Sequence, residues 1–303
     1  MKVLFINNNK KLCGVYQYGL RVYDIIKKSS KYNVIYVEVE TENECNTVIK
    51  TIIPDRIIYN WHAVTMPWST DAYFAKSNIP TYVCNHDKYN WQFKHVIGIF
   101  IDMIDEDHHP NYSLPRPTFN YINNKYVDLD IVKIGSFGFG FANKGFQTLC
   151  RIVNEQFDKA IISLHIPFSH YCDTDGNQAK YIATECQNII TKPGIKLQIT
   201  HHYMSNEELL DFLAMQTINI FAYDFLNNNG LSSCIDYAVS VNRPIGITNS
   251  YMFRHIINLD ILVEYNSIMS IIKNGTEYIN KLKDKWSHEK MINKFEYIME
   301  QKI

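Results

Sequence analysis

The residues Gly230-Leu231-Ser232-Ser233 lead directly into an apolar pattern at helical spacing, Ile235, Ala238 and Val239. A loop that feeds a helix N-terminus in this way gathers unpaired backbone N–H groups and the positive end of the helix dipole at one point, which is the makings of an anion site. Ser232 and Ser233 are the candidate caps. Asp236 stands about one helical turn further on, near enough to reach a ribose hydroxyl beside a bound phosphate. An ordinary junction from loop to helix to strand has the same outline, because Arg243-Pro244 ends the helix ahead of a short apolar run at 245–248.

A second loop, from Gly135 through Ser136, Phe137, Gly138, Phe139, Gly140, Phe141, Ala142 and Asn143 to Lys144-Gly145, joins an expected strand to an expected helix. Glycine lets a backbone approach an oxyanion closely, and lysine supplies a point charge. The spacing is neither that of a Walker A loop nor that of a nicotinamide-binding GxGxxG turn. A flexible loop with a solvated lysine is the plain alternative. His86-Asp87 follow the apolar run Tyr82-Val83-Cys84. A histidine there can position a sugar hydroxyl or move a proton, or it can simply close a strand. His62 presents the same choice. His108-His109 and His201-His202 invite a metal reading, but adjacent histidines rarely converge on one ion and no cysteine or carboxylate spacing supports them, so no metal site is expected.

Those residues need elements to hold them at strand ends. A continuous apolar run predicts a buried strand at 2–6, and further strands are expected at 34–39, 56–60, 81–84, 96–101, 130–135, 160–165, 195–200, 218–222 and 245–248. Between them, helical spacing is expected from Cys13 to Lys28 and over 42–53, 70–77, 144–157, 178–190 and 205–215, with two amphipathic closing helices over 267–283 and 285–300. Ser205 and Glu208 have capping-box spacing. Alternation of strand and helix predicts parallel sheets covered on both faces, with ligands at the carboxyl ends of the strands. Residues 105–126 break the alternation with a polar, proline-containing stretch that reads as the crossing between two domains.

Composition narrows the function classes. The chain has 303 residues, 46% of them apolar, enough for two cored domains. Thirty Lys and Arg stand against 31 Asp and Glu, a net charge of −1, which implies no basic face for duplex nucleic acid. The seven cysteines, Cys13, Cys45, Cys84, Cys150, Cys172, Cys186 and Cys234, include no CxxC pair and suit a reducing compartment. The first apolar run is too short for a signal peptide, no stretch approaches the ~18 apolar residues of a membrane span, and a cytoplasmic location is expected.

In chain order, the Gly14-to-Gly19 loop, the run ending Asn85-His86-Asp87, the crossover, the Gly135-to-Gly145 loop, Ser205-to-Leu213 and the Gly230-to-Ile245 segment resemble the GT-B glycosyltransferases of the retaining "glycosyl transferases group 1" type. The resemblance spans nearly the whole chain. It implies an α/β fold with two Rossmann-like doubly wound domains facing across a cleft. An acceptor-side domain would span 1–120 and a nucleotide-sugar domain 121–303, the final helix able to pack back on the first.

It implies that Lys144, matching the lysine of the family's Lys-Gly pair, grips the donor diphosphate. Gly14, Asn228, Asn229, Gly230, Leu231, Ser232, Ser233 and Asp236 would complete the donor site, with His86 and Asp87 at the reacting centre. The family's arginine just ahead of the lysine is missing, its region occupied by Phe139 and Phe141. Its two glutamates separated by seven residues are matched by Asn228 and Asp236; Asn228 or Asn229 would hydrogen-bond sugar hydroxyls without charge. The implied activity is metal-independent, retaining sugar transfer from a nucleoside-diphosphate sugar such as a UDP-sugar to a glycan, lipid or protein acceptor, with no cofactor beyond that donor. The alternatives are an inactive relative that binds a glycan or nucleotide, and a nucleotide-sugar epimerase.

Overall fold

The computed structural model describes residues 1–86, 93–101, 112–125, 130–169, 172–225 and 230–301. The chain divides into two compact units. The first comprises Met1–Thr118, Asn228–Leu231 and Lys285–Ile303, and the second Phe119–Asn227 and Ser232–Asp284.

The first unit runs β1 (Lys2–Asn8), α1 (Gly14–Ile26), β2 (Asn33–Val39), α2 (Glu42–Ile52), β3 (Arg56–Trp61), α3 (Asp71–Phe74), β4 (Thr81–Asn85) and β5 (Ile97–Phe100). All pairings are parallel, in the order β2-β1-β3-β4-β5, with Val3 opposite Val34 on one side and Arg56 on the other. Both faces of the sheet are covered, so the centres of β1, β3 and β4 are apolar. Alternate residues of β1 serve opposite faces. Val3 and Phe5 pack with Val22, Ile25 and Ile26 of α1, while Leu4 and Ile6 pack with Cys45 of α2 and Phe74 of α3. Each such side chain contributes about 1.5–3 kcal/mol on full burial.

Helix α3 is shorter than the spacing predicts. Ser77 exchanges hydrogen bonds with the backbone of Ile79, giving the chain a turn in place of a further helical turn.

The second unit runs β6 (Lys133–Phe137), α4 (Phe146–Gln156), β7 (Ala160–His165), α5 (Asn177–Ile189), β8 (Ile195–Thr200), α6 (Asn206–Ala214), β9 (Ile218–Phe221), α7 (Cys234–Ser240), β10 (Ile245–Ile247) and α8 (Ile268–Lys285). Its parallel order is β10-β9-β6-β7-β8. β6 begins later than the apolar run suggests, although the Val132 carbonyl already accepts from the Ile161 N–H.

The last helix, α9 (His288–Glu300), belongs to the first unit. Its Met291, Phe295, Ile298 and Met299 share a core with Val22 and Ile26 of α1. Ser29 donates to Glu296 at 2.7 Å, and Lys31 to Glu300 at 2.9 Å. No described helix is long and apolar enough to cross a membrane.

The capping box at α6 forms as its spacing predicts. Ser205 Oγ accepts from the Glu208 N–H at 3.2 Å, and Glu208 Oε2 accepts from the Ser205 N–H at 2.7 Å. Ser205→Ala is expected to cost about 1 kcal/mol, read as a fall in thermal midpoint of about 2–4 °C.

Candidate functional site

In a doubly wound sheet the ligand crevice opens where strand order reverses. In the second unit that point lies between β6 and β9, which pair at Ile134–Ile218 and Gly135–Asn219. The chain leaving β6 there carries Lys144. Its glycines are explained first by packing. A Cβ at Gly140 would overlap the Ala179 backbone at the start of α5, and a Cβ at Gly145 would overlap the Ala222 carbonyl just beyond β9. Gly145 also has φ of 64° and serves as N-cap of α4. These two glycines therefore let the loop press on its neighbours rather than on a ligand. Their consequence is that a tight turn over Ala142–Lys144 sets Lys144 at the carboxyl end of β9.

Lys144 Nζ lies over the Tyr223 ring, 4.1 Å from its centroid. Desolvation by the surrounding protein lowers the lysine's pKa, although the side chain keeps part of its surface exposed. No carboxylate among the described residues pairs with it. Tyr223 and Cys234 beside it are neutral near pH 7. Burial raises the Tyr223 phenol well above its ordinary value and pushes the Cys234 thiol up to about 11, with the Asp236 carboxylate adding to the latter.

The segment beyond β9 is strapped in place. Asp224 N–H donates to Asn143 O at 3.1 Å, Thr248 Oγ1 to Tyr223 O at 2.6 Å, and Ser250 Oγ to Asp224 O at 2.9 Å. Loops following β6, β9 and β10 thus converge around one cation.

The Gly-Leu-Ser-Ser bend only partly behaves as its sequence suggests. Ser232 is a structural residue. Its N–H donates to Met252 O at 3.2 Å, and its hydroxyl donates to Tyr223 OH at 3.3 Å and lies 3.0 Å from Cys234 Sγ. Ser233 occupies the N-cap position of α7 but makes no side-chain cap, because it already has helical backbone angles. The N–H groups of Ser233, Cys234 and Ile235 have no acceptor among the described residues. Asp236 is fully buried on the first turn of α7, so a ribose would reach it only after neighbouring chain moved. Gly230 and Leu231 group with the first unit, where a Cβ at Gly230 would stand 3.1 Å from the His86 carbonyl oxygen. Asn228, Asn229 and Asp87 lie outside the described residues.

In the first unit the strand order reverses between β1 and β3, and polar side chains collect at the carboxyl ends of β1, β3 and β4. His86 Nε2 is 2.7 Å from Asn60 Oδ1 and its ring meets Tyr18 edge-on at 4.8 Å. Asn60 Nδ2 donates to Asn7 Oδ1 at 2.8 Å and to Val15 O at 2.7 Å. Gly19 of α1 makes room for this pair, since a Cβ there would overlap both amides. Burial, with His62, Arg116 and Arg21 nearby, pushes the His86 pKa down to about 3. His62 Nδ1 accepts the Val64 N–H at 3.1 Å and shapes the turn after β3. Gly14 is the first residue of α1, with open space where a Cβ would project and no side-chain cap on the helix.

His165 and His201 are held by Thr200 Oγ1 at 2.9 Å and Ile166 O at 2.8 Å, and burial takes the His165 pKa down to about 4. Sequence reasoning missed Tyr223 and Asn60. The signal was present for Asn60, an amide inside the otherwise apolar run of β3; Tyr223 reads simply as one more apolar residue after β9.

No family model matches the sequence, and no curated protein sequence matches it. Solved structures do. HepE from Anabaena, solved in complex with UDP, is 10% identical over 99% of both chains, with a TM-score of 0.66. A glycosyltransferase from Rickettsia africae is 12% identical over 99% of both chains, at 0.68. Sucrose-phosphate synthase from Thermosynechococcus elongatus is 9% identical over 99% of this chain and 98% of its own, at 0.67. At such identities the likeness establishes architecture, and with two parallel five-stranded doubly wound sheets this chain has the GT-B fold.

Proposed function

We propose that the protein is a glycosyltransferase that moves a sugar from a nucleoside-diphosphate sugar to an acceptor, without a metal ion and with retention of anomeric configuration. The observation that carries this reading is the Lys144 ammonium at the β6/β9 switch point, without a described carboxylate partner and stacked on Tyr223. A cation in a partly desolvated niche is arranged for an incoming anion. The N–H groups of Ser233, Cys234 and Ile235, without an acceptor among the described residues, are of the right chemistry to share that anion.

As the bond from sugar to diphosphate breaks, charge accumulates on the departing oxygens, and a fixed ammonium and fixed dipoles stabilise that charge more than they stabilise the ground state. His86, neutral near pH 7, is suited to hydrogen-bonding a sugar hydroxyl. HepE's binding of UDP supports a uridine nucleotide as the first donor to try. Asp87, Asn228 and Asn229 are proposed to contact the sugar, and Gly14, Gly230 and Leu231 to line the donor's path.

Calorimetric titration with UDP, GDP and their sugars, in the presence of a chelator, tests the reading. Binding of one nucleoside diphosphate in the micromolar range is expected, together with slow release of free sugar from its donor when no acceptor is present. Binding without any release over long incubation would assign a nucleotide-binding relative instead, and no binding to any nucleotide would end the proposal.

A further inference from the structure

The hydrogen bonds behind His86 have a direction. Asn60 Nδ2 faces the Val15 carbonyl and Asn7 Nδ2 faces the Tyr16 carbonyl at 3.0 Å. A carbonyl can only accept, so both amide orientations are set by the backbone of α1. With Asn60 turned this way, its Oδ1 faces His86 Nε2, and that nitrogen must carry the proton. The same polarity continues outward. Asn60 Nδ2 donates to Asn7 Oδ1, Asn7 Nδ2 donates to Tyr36 OH at 3.1 Å, and Tyr36 OH donates to Glu38 Oε1 at 3.2 Å. Tyr16 OH donates to the same oxygen at 2.6 Å. The side-chain bonds from His86 through Asn60, Asn7 and Tyr36 all run donor to acceptor toward one exposed carboxylate, and bonds aligned in this way polarise one another. Amides cannot pass protons along, so the chain orients; it does not conduct.

We infer that Asn60, backed by Asn7, Tyr36 and Glu38, is a positioning residue that locks His86 in its Nε2–H tautomer, so that Nδ1 is presented as a hydrogen-bond acceptor for a ligand hydroxyl. No described group donates to Nδ1. Among the described residues, the charged and titratable groups around the ring are Tyr18 and Arg21 on α1, His62 after β3, and Arg116. Three of these carry or can acquire positive charge, which opposes an imidazolium and keeps the lone pair free. The statement about the ligand hydroxyl rests on the proposed sugar chemistry. The tautomer does not, so the two can fail separately.

Nitrogen-15 NMR of the full chain labelled in histidine reads the tautomer without any substrate, with His86→Gln used for assignment. The wild type is expected to show a protonated Nε2 and a lone-pair Nδ1, with no detectable Nδ1–H form and no titration between about pH 5 and pH 8. Asn60→Leu is expected to let the Nδ1–H form appear, since a free imidazole populates both. Near-isosteric Asn60→Asp is expected to move the His86 titration upward by about 1–3 pH units by placing a carboxylate on Nε2. A protonated Nδ1 in the wild type overturns the inference whether or not either variant folds. An unchanged single tautomer in folded Asn60→Leu overturns it as well.

Discussion

Replacing Lys144 by alanine is expected to weaken nucleoside-diphosphate binding by about 30- to 700-fold while leaving the thermal midpoint within a few degrees of the wild type. The magnitude follows from removing one partner of a partly desolvated charge pair, about 2–4 kcal/mol, at 1.4 kcal/mol per tenfold. Stability should change little because the ammonium gains only its contact with the Tyr223 ring and is held there against its own desolvation, as the lowered pKa records. Lys144→Met, which keeps the stem and loses the charge, should weaken binding as much as alanine does; if methionine retains affinity, the lysine contributes packing and the anion site lies elsewhere.

The pH dependence has a definite sign. An anion favours the protonated lysine, so affinity is full below the free protein's Lys144 pKa and falls as pH rises through it. That pKa is depressed by burial, so the fall should begin at lower pH than an ordinary lysine would give, and it should be absent in Lys144→Met. Calorimetry across the alkaline range checks this.

Gly145→Ala is expected to cost about 2–5 kcal/mol, combining the strain of a side chain at positive φ with overlap against a packed backbone. The obstacle is the Ala222 carbonyl, whose chain is tied down through Asp224, Thr248 and Ser250, so it cannot yield cheaply. A fall in thermal midpoint on the order of 10 °C should result. Weaker nucleotide binding should accompany it, because the turn that presents Lys144 ends at this residue. Gly14→Ala is the control. It has open space and ordinary helical geometry, and its stability should stay within about 0.5 kcal/mol of the wild type. Equal losses in the two variants, measured by thermal denaturation, would contradict the argument that only one of these glycines is sterically required.

Much of the architecture was legible because its signals are local. The expected strands 160–165 and 195–200 coincide with β7 and β8: β7 is buried almost throughout, and the edge strand β8 alternates apolar with polar residues. The Ser205–Glu208 box and Pro54 mark helix ends because caps and missing N–H groups act within a few residues. The candidate site was legible by residue type and less so by role. Lys144 and His86 stand out as a lysine after glycines and a histidine at a strand end. Nothing local reveals that Gly140 and Gly145 answer to Ala179 and Ala222, that Ser232 is consumed by Met252 and Tyr223, or that Asp236 has no exposed surface.

Sequence by itself determined the alternation of strand and helix, and with it two parallel sheets and the strand ends where polar residues gather, because periodicity and capping are properties of neighbouring residues. Tertiary structure alone decided strand order, and therefore that the ends of β6 and β9 adjoin at the switch point with Lys144 over Tyr223. It alone brought Asn7, Asn60 and His86, from three different strand ends, into one directed chain of hydrogen bonds. Hydrogen bonds and burial depend on distance in space, and the residues that make this chemistry lie tens of positions apart along the chain.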